Sequence, residues 1–526
     1  MENEIAVNSD TAVKDKIKAL LKALCAGLYE REEVMALALL SAIAGESMFI
    51  LGPPGVGKSL IARRLKYGFK SGKSFEYLMT KFSTPDEVFG PISIKALKES
   101  DKYERITDNY LPDAHVVFLD EIWKSSSAIQ NALLTVVNEK VYRNGQQEIP
   151  VELHALITAS NELPPGDAGM GPLWDRLLVR YQLNGIEDTS RVFEMITNTE
   201  EVYEDPIPEA LKIDIQELKT WQAEIDQIQI PEELLHSIQM VRVQLEKWNE
   251  AGTHQPLKIY DRRWKKIIRL MRTSAFLNGR SQVDLMDAFL MFHCLWGTPD
   301  HQLKLREIIA KTIRNHGYSI ALPLSDFEKE LSEFENEVEQ ETTVVRTSSR
   351  QVLEPFDDEY YQLIKPDQFF EGNFIKIQDF NKASTDQWQV TNFYDANYSL
   401  VNRLSAKKGD AQFSFAVNYN SQEKNYQLTT TKQETKEKIS RKPHQALVKM
   451  WEERFQDLKK RFNQAQASLE EKSGAKWIEE LQSNQFIDQR LAPLVKANQE
   501  EVLSKIKRFQ LRLDKVKFAY EDGQLA

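Results

Sequence analysis

The chain has 526 residues, more than one hydrophobic core organises, and this length predicts about three domains. Its net charge of −11 argues against a protein whose main function is to bind duplex DNA. Such proteins use basic surfaces to neutralise DNA phosphates and release their counterions. The two cysteines, Cys25 and Cys294, lie in apolar, helical-looking surroundings without the spacing of metal ligands. They indicate reduced core residues and argue against a disulfide framework.

The N-terminal residues 1–10 are acidic and polar, whereas a secretory signal has a basic start and an apolar core. The longest apolar run, residues 34–45, contains twelve residues. Such a run is too short to cross a bilayer core of about 30 Å as a helix, so it predicts a buried helix. We therefore expect a soluble, cytoplasmic protein without a transmembrane segment.

From residue 11 to about residue 190, helical stretches alternate with short β-rich runs, which lie at residues 48–51, 74–79, 115–119 and 155–159. This alternation is typical of a parallel sheet that is covered by helices.

Two further parts of this region predict inserted hairpins. Residues 84–91 and 103–107 are the expected arms of the first hairpin. Residues 140–145 and 151–153 are the expected arms of the second, and an Asn-Gly turn signal lies between them.

Residues 201–322 show a helical pattern nearly throughout, and a segment of this size predicts a helical lid. One helix is expected to begin at Arg262, Arg263 and Trp264, and an apolar helix is expected around residues 285–296.

The composition changes twice after the lid. Residues 326–341 hold eight acids and a single lysine, with apolar residues at helical spacing, and they predict a charged amphipathic helix with a solvated face. A composition break follows at residues 342–350. The pattern then alternates as it does in strands and predicts a small β-rich module, with strand-like runs at residues 374–377, 388–390 and 413–419.

The pattern returns to helix at His444. Apolar residues are spaced by threes and fours on one face of this helix, namely Leu447, Trp451, Phe455, Leu458, Phe462, Ala465 and Leu469. A second long helix runs to Ala519. We expect the helices on both sides of the β-rich module to pack together, with the module inserted between them.

A glycine-rich loop follows the apolar run 48–51 and opens onto a helix. Its glycines allow backbone N–H groups to surround phosphates at the N-terminus of that helix. We expect ATP to contact the loop and the first residue after it, which are Gly52, Pro53, Pro54, Gly55, Val56, Gly57, Lys58, Ser59 and Leu60.

A pair of acids follows the run 115–119, and the first of them, Asp120, lies 62 residues after Lys58. Lys58 is expected to reach the β- and γ-phosphates. Ser59 and Asp120 are expected to hold Mg²⁺, because this hard cation takes oxygen ligands. Glu121 is then available to polarise the attacking water. The loop and the acids together predict hydrolysis of ATP.

Three more polar residues are candidates for the same site. Asn161 ends a predicted strand and is expected to orient the lytic water. Arg176 is expected at the domain edge, where it would reach the γ-phosphate of a neighbouring subunit, and Arg180, one helical turn on, competes for this role. In the lid, Arg262 is expected to reach the phosphate from within its own subunit, and adjacent Arg263 is the alternative.

These residues resemble a known family, the AAA+ ATPases of the MoxR type, and most closely its RavA-like branch (regulatory ATPase variant A). The resemblance covers nearly all of the first 320 or so residues. It rests on long matching segments at residues 27–31, 52–59, 82–91, 118–124, 159–164 and 261–266.

The resemblance implies a fold and its division along the chain. Residues 1–200 would form a P-loop AAA+ α/β domain with a parallel sheet, and residues 201–322 an all-α lid. Residues 323–350 and 441–526 would form the two parts of a helical leg, which carries a small inserted β-rich interaction module at residues 351–440.

The resemblance also implies roles for single residues. Asn161 would be the sensor asparagine, Arg176 the arginine finger and Arg262 the lid sensor, while Tyr29 would lie near the adenine. The two predicted hairpins would be the helix-2 and pre-sensor insertions of the family.

Members of this family work as homohexameric rings that hydrolyse Mg-ATP and mature or remodel protein complexes in a chaperone-like way. The resemblance therefore implies self-association and a partner with a von Willebrand factor A domain. RavA-like proteins engage an inducible lysine decarboxylase through their β module, which would correspond here to residues 351–440. No motif in this segment matches position by position, so the resemblance supplies no binding residue there.

Two other functions compete with a remodelling motor. The first is a nucleic-acid motor, because related rings with the same two hairpins act on DNA; the acidic balance argues against it. The second is a scaffold in which ATP sets assembly and hydrolysis is incidental.

Overall fold

The computed structural model describes residues 2–70, 73–165, 170–199, 204–252, 255–365, 372–470 and 474–522. The chain forms two compact units. The first contains residues 1–328 and 459–510, and the second contains residues 329–458 and 511–526. Within the described ranges, no helix combines the length and the apolar character that a membrane span requires.

A parallel sheet forms the centre of the first unit. Its strand order is β2-β3-β6-β1-β7, with bounds β1 Ser47–Leu51, β2 Ser74–Leu78, β3 Val116–Asp120, β6 Ala155–Ser160 and β7 Val179–Gln182. The covering helices are α1 Glu2–Leu24, α2 Glu32–Ala44, α3 Lys58–Lys66, α6 Ser127–Glu139, α7 Gly171–Arg176 and α8 Thr189–Thr197. Helix α2 contains the long apolar run and is buried from Val34 to Ala44, as predicted.

The four predicted strands are confirmed, whereas β7 is an additional strand. It pairs with β1, and Arg180 lies opposite Phe49 in this pairing. Our placement of Arg180 one helical turn after Arg176 is therefore wrong. Helix α7 ends at Arg176, and four residues are too few to give a strong period-2 signal in the sequence.

The first predicted hairpin is wrong in its first arm, because residues 85–89 form helix α4 (Pro85–Phe89). The side chain of Glu87 accepts from the backbone N–H of Thr84 at 2.8 Å, which completes a capping box with Pro85 at the first helical turn. Helix α5 (Ile94–Ser100) follows. A single antiparallel bridge, Ile92 with Arg105, closes the insertion.

The second hairpin is confirmed, with strands β4 (Val141–Asn144) and β5 (Gln147–Pro150). Its second arm begins earlier than the predicted 151–153. The two insertions contact each other, because the Asn144 side chain accepts from the Arg105 N–H at 2.6 Å and donates to the Arg105 carbonyl at 3.0 Å. The rings of Phe89 and Tyr142 also stack, with centroids 5.2 Å apart.

Helices follow the sheet and form the predicted lid, with bounds α9 Ile215–Gln227, α10 Glu232–Glu250, α11 Asp261–Leu277, α12 Met291–Cys294 and α13 Pro299–His316. Helix α11 begins at Asp261, one residue before the predicted start at Arg262. The apolar segment around residues 285–296 is a 3₁₀ turn, Asp287–Leu290, followed by α12, and both are buried.

Long helices follow the lid and flank the β-rich region, with bounds α14 Leu324–Thr342, α16 Gln445–Glu470, α17 Ala475–Gln482 and α18 Ala492–Asp522. The predicted apolar face of α16 is buried from Trp451 to Leu469, and Leu447 is half-buried. In the second unit, the parts of α14, α16 and α18 that belong to it pack together as predicted. Glu337 of α14 accepts from the Trp451 ring nitrogen at 2.8 Å, and Arg512 of α18 pairs with Glu335 at 2.6 Å.

The β-rich region of the second unit is a closed barrel. Its strand order is β11-β12-β13-β14-β15-β10, and pairing of β10 with β11 closes it. The bounds are β9 Pro355–Phe356, β10 Tyr360–Ile364, β11 Phe374–Lys376, α15 Ile377–Lys382, β12 Gln389–Tyr394, β13 Leu400–Lys408, β14 Ser414–Tyr419 and β15 Gln422–Leu428. Phe393 and Phe415 are fully buried in its core.

A two-stranded ribbon joins the barrel to helices α14 and α16. Strand β8 (Thr343–Leu353) pairs along its whole length with β16 (Thr430–Ser440). The predicted composition break at 342–350 is therefore mostly strand. Both faces of the ribbon are largely exposed, so the sequence lacks the alternation of apolar and polar residues that marks a half-buried strand.

The barrel core gives a stability prediction. Phe415→Ala should lower the free energy of unfolding of the barrel by about 3–5 kcal/mol, because it removes a fully buried ring and leaves a cavity. Val390→Ala is the control, since Val390 is 74% exposed. Hydrogen exchange of barrel peptides in the full chain measures the effect. Equal exchange rates in the two variants would contradict this assignment of the core.

Candidate functional site

The phosphate loop leaves the sheet at Gly52, where two backbones approach closely. The Gly52 N–H donates to the Ser160 carbonyl at 3.1 Å, and the Leu183 N–H donates to the Leu51 carbonyl at 2.7 Å. A Cβ atom at Gly52 would lie 2.4 Å from the Leu183 carbonyl oxygen. Glycine is therefore required here by the packing of the loop against the chain after β7.

The loop then turns into α3 through residues that favour glycine. Gly55 and Gly57 have φ angles of 83° and 88°, and Gly57 is the N-cap of α3, which begins at Lys58. The first N–H groups of a helix have no intrahelical acceptor, and the helix dipole adds partial positive charge at the same end. This geometry forms an anion site suited to phosphates.

Lys58 lies inside the loop and contacts the end of β6. Its ammonium group donates to the carbonyls of Gly52 at 2.6 Å and Pro53 at 3.0 Å and to the side-chain oxygen of Asn161. Burial lowers the pKa of Lys58, and the negative charges of Asp120 and Glu121 oppose this effect. The structure thus brings Lys58 into contact with Asn161 and places the charges of Asp120 and Glu121 close enough to affect it.

Glu121 is held in place by two residues that the sequence analysis missed. It has a φ of 51°, and its N–H donates to the Asp120 carboxylate at 2.9 Å. Its own carboxylate accepts from the Ser160 hydroxyl and lies near the Lys124 ammonium, each at 3.3 Å. Lys124 follows Glu121 by three residues, and Ser160 directly precedes Asn161. This closeness in sequence to the predicted residues is the signal that could identify them as site residues.

A cavity of about 700 Å³ joins the loop to the acids. Lys58, Ser59, Asp120, Glu121 and Asn161 line one end. The lining of the cavity also includes apolar side chains that suit a purine ring, among them Leu28, Tyr29, Ile186, Val192 and Met195. Tyr29, which the resemblance places near the adenine, is part of this lining.

Arg31 lines this cavity, and its neighbour Glu30 contacts chain segments beside it; the sequence analysis missed both as site residues. The Arg31 guanidinium donates to the carbonyls of Val56 at 3.1 Å and Asn184 at 3.1 Å. The Glu30 carboxylate accepts from the N–H groups of Glu187 and Asp188, each at 2.8 Å. These contacts fix the segment before α2 to the phosphate loop and to the chain before α8.

The residues fit a magnesium ion that is shared with a nucleotide. Ser59 and Asp120 offer a hydroxyl and a carboxylate in the same cavity. In the part of the chain that the structure describes, no group of three or more His, Cys, Asp or Glu residues forms a metal cluster. Two protein oxygens beside a phosphate site are typical of Mg²⁺, which takes its other ligands from phosphates and water.

The predicted arginines lie elsewhere. Among the described residues that line the cavity, neither Arg176 nor Arg262 occurs. Arg262 is half-exposed and pairs with Asp175. Arg176 donates to the Pro172 carbonyl at 2.6 Å, and its pKa is lowered by burial and by the positive charge of Arg262. The structure therefore brings Arg176 and Arg262 together with Asp175, away from the nucleotide cavity.

The two alternative arginines are buried in structural contacts. Arg180 stacks on the Trp174 ring at 3.6 Å and donates to the carbonyls of Leu177, Trp174 and Trp296. Arg263 donates to the carbonyls of Cys294, Asp175, Leu177 and Leu178. Because these guanidinium groups are buried with their donors occupied, the structure favours Arg176 over Arg180 and Arg262 over Arg263 for contact with a ligand.

The sheet order and the site define the class of this protein. A parallel sheet carries a phosphate loop after β1, paired acids after β3 and an asparagine after β6, and a helical lid follows it. This combination defines an AAA+ ATPase fold.

Comparisons with known proteins identify the family. Residues 15–223 match the model described as the MoxR domain in the MoxR-vWA-beta-propeller ternary systems, and residues 233–309 match an AAA lid domain. The uncharacterized proteins MJ0812 and MJ0079 of Methanocaldococcus jannaschii are 37% and 34% identical to this chain, over 56% of this chain and 74% of each relative. A crystal structure of a candidate ATPase from Cytophaga hutchinsonii is 18% identical, with a TM-score of 0.48, over 60% of this chain and 98% of that one. The chain belongs to the MoxR family of AAA+ ATPases.

The close approach at Gly52 gives a prediction for binding. Gly52→Ala should weaken ATP binding about tenfold or more, because relieving the overlap with the Leu183 carbonyl displaces the loop at a cost of about 1–3 kcal/mol. Gly171→Ala is the matched control, since a Cβ atom there meets nothing within 4 Å. Titration with a fluorescent ATP analogue measures both affinities. Equal affinities would show that the loop tolerates the added methyl group.

Proposed function

We propose that this protein is a Mg-ATP-hydrolysing ring ATPase that remodels or matures other protein complexes in a chaperone-like way. The observation that carries the ATPase proposal is the position of Glu121. Its carboxylate lines the nucleotide cavity and is held by Ser160 and Lys124, beside Lys58 and Asp120. A carboxylate that is fixed next to a phosphate site is suited to orient and polarise a water molecule.

Each residue of the site has a distinct task in this proposal. Ser59 and Asp120 hold the magnesium ion, which would neutralise charge on the phosphates. Lys58 exchanges its loop carbonyl contacts for phosphate oxygens, and Asn161, released from Lys58, orients the lytic water. The Glu121 carboxylate accepts a hydrogen bond from that water. Tyr29 and the apolar lining hold the base.

Arg176 completes the site of a neighbouring subunit in this proposal. Arg176 and Arg262 lie with Asp175, outside the cavity of their own subunit. An arginine that acts on another subunit requires a head-to-tail contact, and such a contact builds a ring when the rotation between subunits closes and a filament when it does not. We therefore propose a homohexamer in which Arg176 is the finger. Arg262 shares this edge, so we propose that it also reaches the neighbour's phosphate rather than one within its own subunit.

The barrel and the family suggest the protein partners. The matching family model names vWA systems, and a von Willebrand factor A protein is therefore the proposed partner of the ring. The barrel on its helical support favours the RavA-like branch, whose lysine decarboxylase is one candidate client. Phe356 and Tyr398 are exposed on the barrel and contact the ring of Phe374, and exposed aromatic rings commonly anchor protein partners.

Glu121→Gln tests the proposal directly. It should lower ATP turnover about 10²-fold or more, which is the usual cost of losing a general base, while ATP binding and assembly persist. Glu139→Gln makes the same change of charge at an exposed position on α6 and should leave turnover unchanged. Steady-state phosphate release and ATP titration measure the two properties.

The same variants separate a motor from a scaffold. If Glu121→Gln retains full turnover, Glu121 is not the catalytic base and the proposed site is wrong. If turnover falls but remodelling of a client continues at the normal rate, ATP binding alone drives the work and the motor proposal fails.

A further inference from the structure

Helix α8 leaves an apolar face exposed. All nine residues of this helix are described, and none of them is buried. Phe193 and Ile196 are 60% and 65% exposed, and their spacing of three residues puts them on one face. Asp188 caps the helix by accepting from the N–H groups of Ser190 and Arg191.

A helix of this kind needs a packing partner. Short helices are marginal in water, and most of their stability in proteins comes from burial of an amphipathic face. Contiguous exposed apolar side chains with a polar surround typically mark a protein contact. The apolar face of α8 therefore indicates a surface that another protein segment covers.

The position of α8 relates this surface to the nucleotide. Val192 and Met195, on the adjoining side of the same helix, line the nucleotide cavity. Phe193 and Ile196 therefore lie at the rim of that cavity, and we call these two residues the α8 knob. Glu187, Asp188 and Glu194 lie beside the knob in the sequence, and Arg191 pairs with Glu194 at 3.2 Å, so these four residues together carry a net negative charge.

A groove with complementary properties lies beside the exposed arginines. This second cavity has a volume of about 660 Å³, and its apolar lining includes Pro164, Pro165, Leu257, Ile259 and Tyr260. We call it the Tyr260 groove, because Tyr260 is 57% exposed.

The charge of the Tyr260 groove is opposite to that around the α8 knob. Lys258 and Arg262 both line it. Asp175, the partner of Arg262, lines it as well and directly precedes Arg176. The groove thus adjoins the edge from which Arg176 would act.

We propose that the α8 knob of one subunit docks into the Tyr260 groove of the next copy of this chain. This inference rests on the proposed action of Arg176 on a neighbouring subunit. That action brings the arginine edge of one copy against the nucleotide cavity of another, so the groove and the knob face each other. The apolar surfaces and the opposite charges are then matched. Knob and groove are different patches, so the contact is heterologous and propagates around a ring.

The contact also couples assembly to the bound nucleotide. A nucleotide in the cavity contacts Val192 and Met195 on one side of α8, while the neighbour contacts Phe193 and Ile196 on the other. If the nucleotide orders α8, the neighbouring subunit binds more tightly, because less conformational freedom of the helix remains to be lost. The same holds when the neighbour binds first and the nucleotide second.

The double variant Phe193→Ser, Ile196→Ser tests the docking contact. It should raise the protein concentration needed for assembly in ATP about tenfold or more, which is typical for removal of a central apolar contact. Leu303→Ser is the control, because it removes a side chain that is 81% exposed and outside both cavities. The assembly of this variant should be unchanged. Sedimentation velocity across a concentration series measures the assembly of both.

Cross-linking between two single variants tests the direction of the contact. Ile196→Cys protein and Tyr260→Cys protein are mixed and treated with a bismaleimide, with one of them carrying a larger tag. A conjugate between the two proteins should form in the mixture and increase with ATP, while each protein alone gives little. The unsubstituted chain, in which Cys25 is half-buried and Cys294 is buried, sets the background.

The outcomes distinguish this inference from the proposed function. If the double serine variant assembles normally and the mixed conjugate does not form, the docking contact is wrong, even when turnover still depends on Arg176. If the mixed conjugate forms but turnover does not depend on Arg176, the docking contact stands and the arginine proposal fails. If the double serine variant no longer binds the fluorescent ATP analogue, its assembly in ATP does not report on the docking contact, and the mixed conjugate decides.

Discussion

The end of strand β6 is the point on which the nucleotide site depends. β6 lies between β1, which carries the phosphate loop, and β3, which carries the acids. The Ser160 carbonyl accepts from Gly52, the Ser160 hydroxyl donates to Glu121, and the Asn161 side chain accepts from Lys58. Two adjacent residues thus fix the loop and the acid relative to each other, which is the preorganisation that phosphoryl transfer requires.

The proposed catalytic residues lie at two separate places in the first unit, because Arg176 and Arg262 are outside the nucleotide cavity. The cavity contains the acids, the phosphate loop and the proposed magnesium ligands. The cationic groups that would stabilise charge on the transferred phosphoryl lie at Arg176 and Arg262, on the edge with Asp175. A subunit of this kind would be incomplete alone, and assembly would therefore control turnover. Through the proposed contact of the α8 knob, the bound nucleotide would change the affinity between neighbouring subunits.

The sequence predicted the parts of the fold whose signals are local. The phosphate loop, the acid pair and the long amphipathic helices depend on short patterns with a clear physical cause. β7 is too short for such a pattern. The ribbon β8–β16 is exposed on both faces, so its alternation is absent. In the first insertion, a capping box at Thr84 and Glu87 starts a helix where a strand arm is predicted.

The missed site residues have a common reason. Arg31 and Ser160 act through tertiary contacts with residues of the predicted motifs, and Lys124 pairs with Glu121 three residues before it. A motif match does not reveal such supports. The separation of Arg262 from the nucleotide cavity likewise depends on how the lid packs on the sheet, through Asp175 and the carbonyls that Arg263 contacts. Packing of this kind cannot be obtained from spacing along the chain.

The central claim is that one subunit supplies Glu121 and its neighbour supplies Arg176. Mixing Glu121→Gln protein with Arg176→Ala protein tests it most directly, because each variant alone lacks one half of every site. The account predicts that phosphate release in the mixture rises well above the sum of the two separate rates, since some sites then combine an intact Glu121 with a neighbour's Arg176. A mixture that shows only the summed rates, although mixed rings form, would contradict the account.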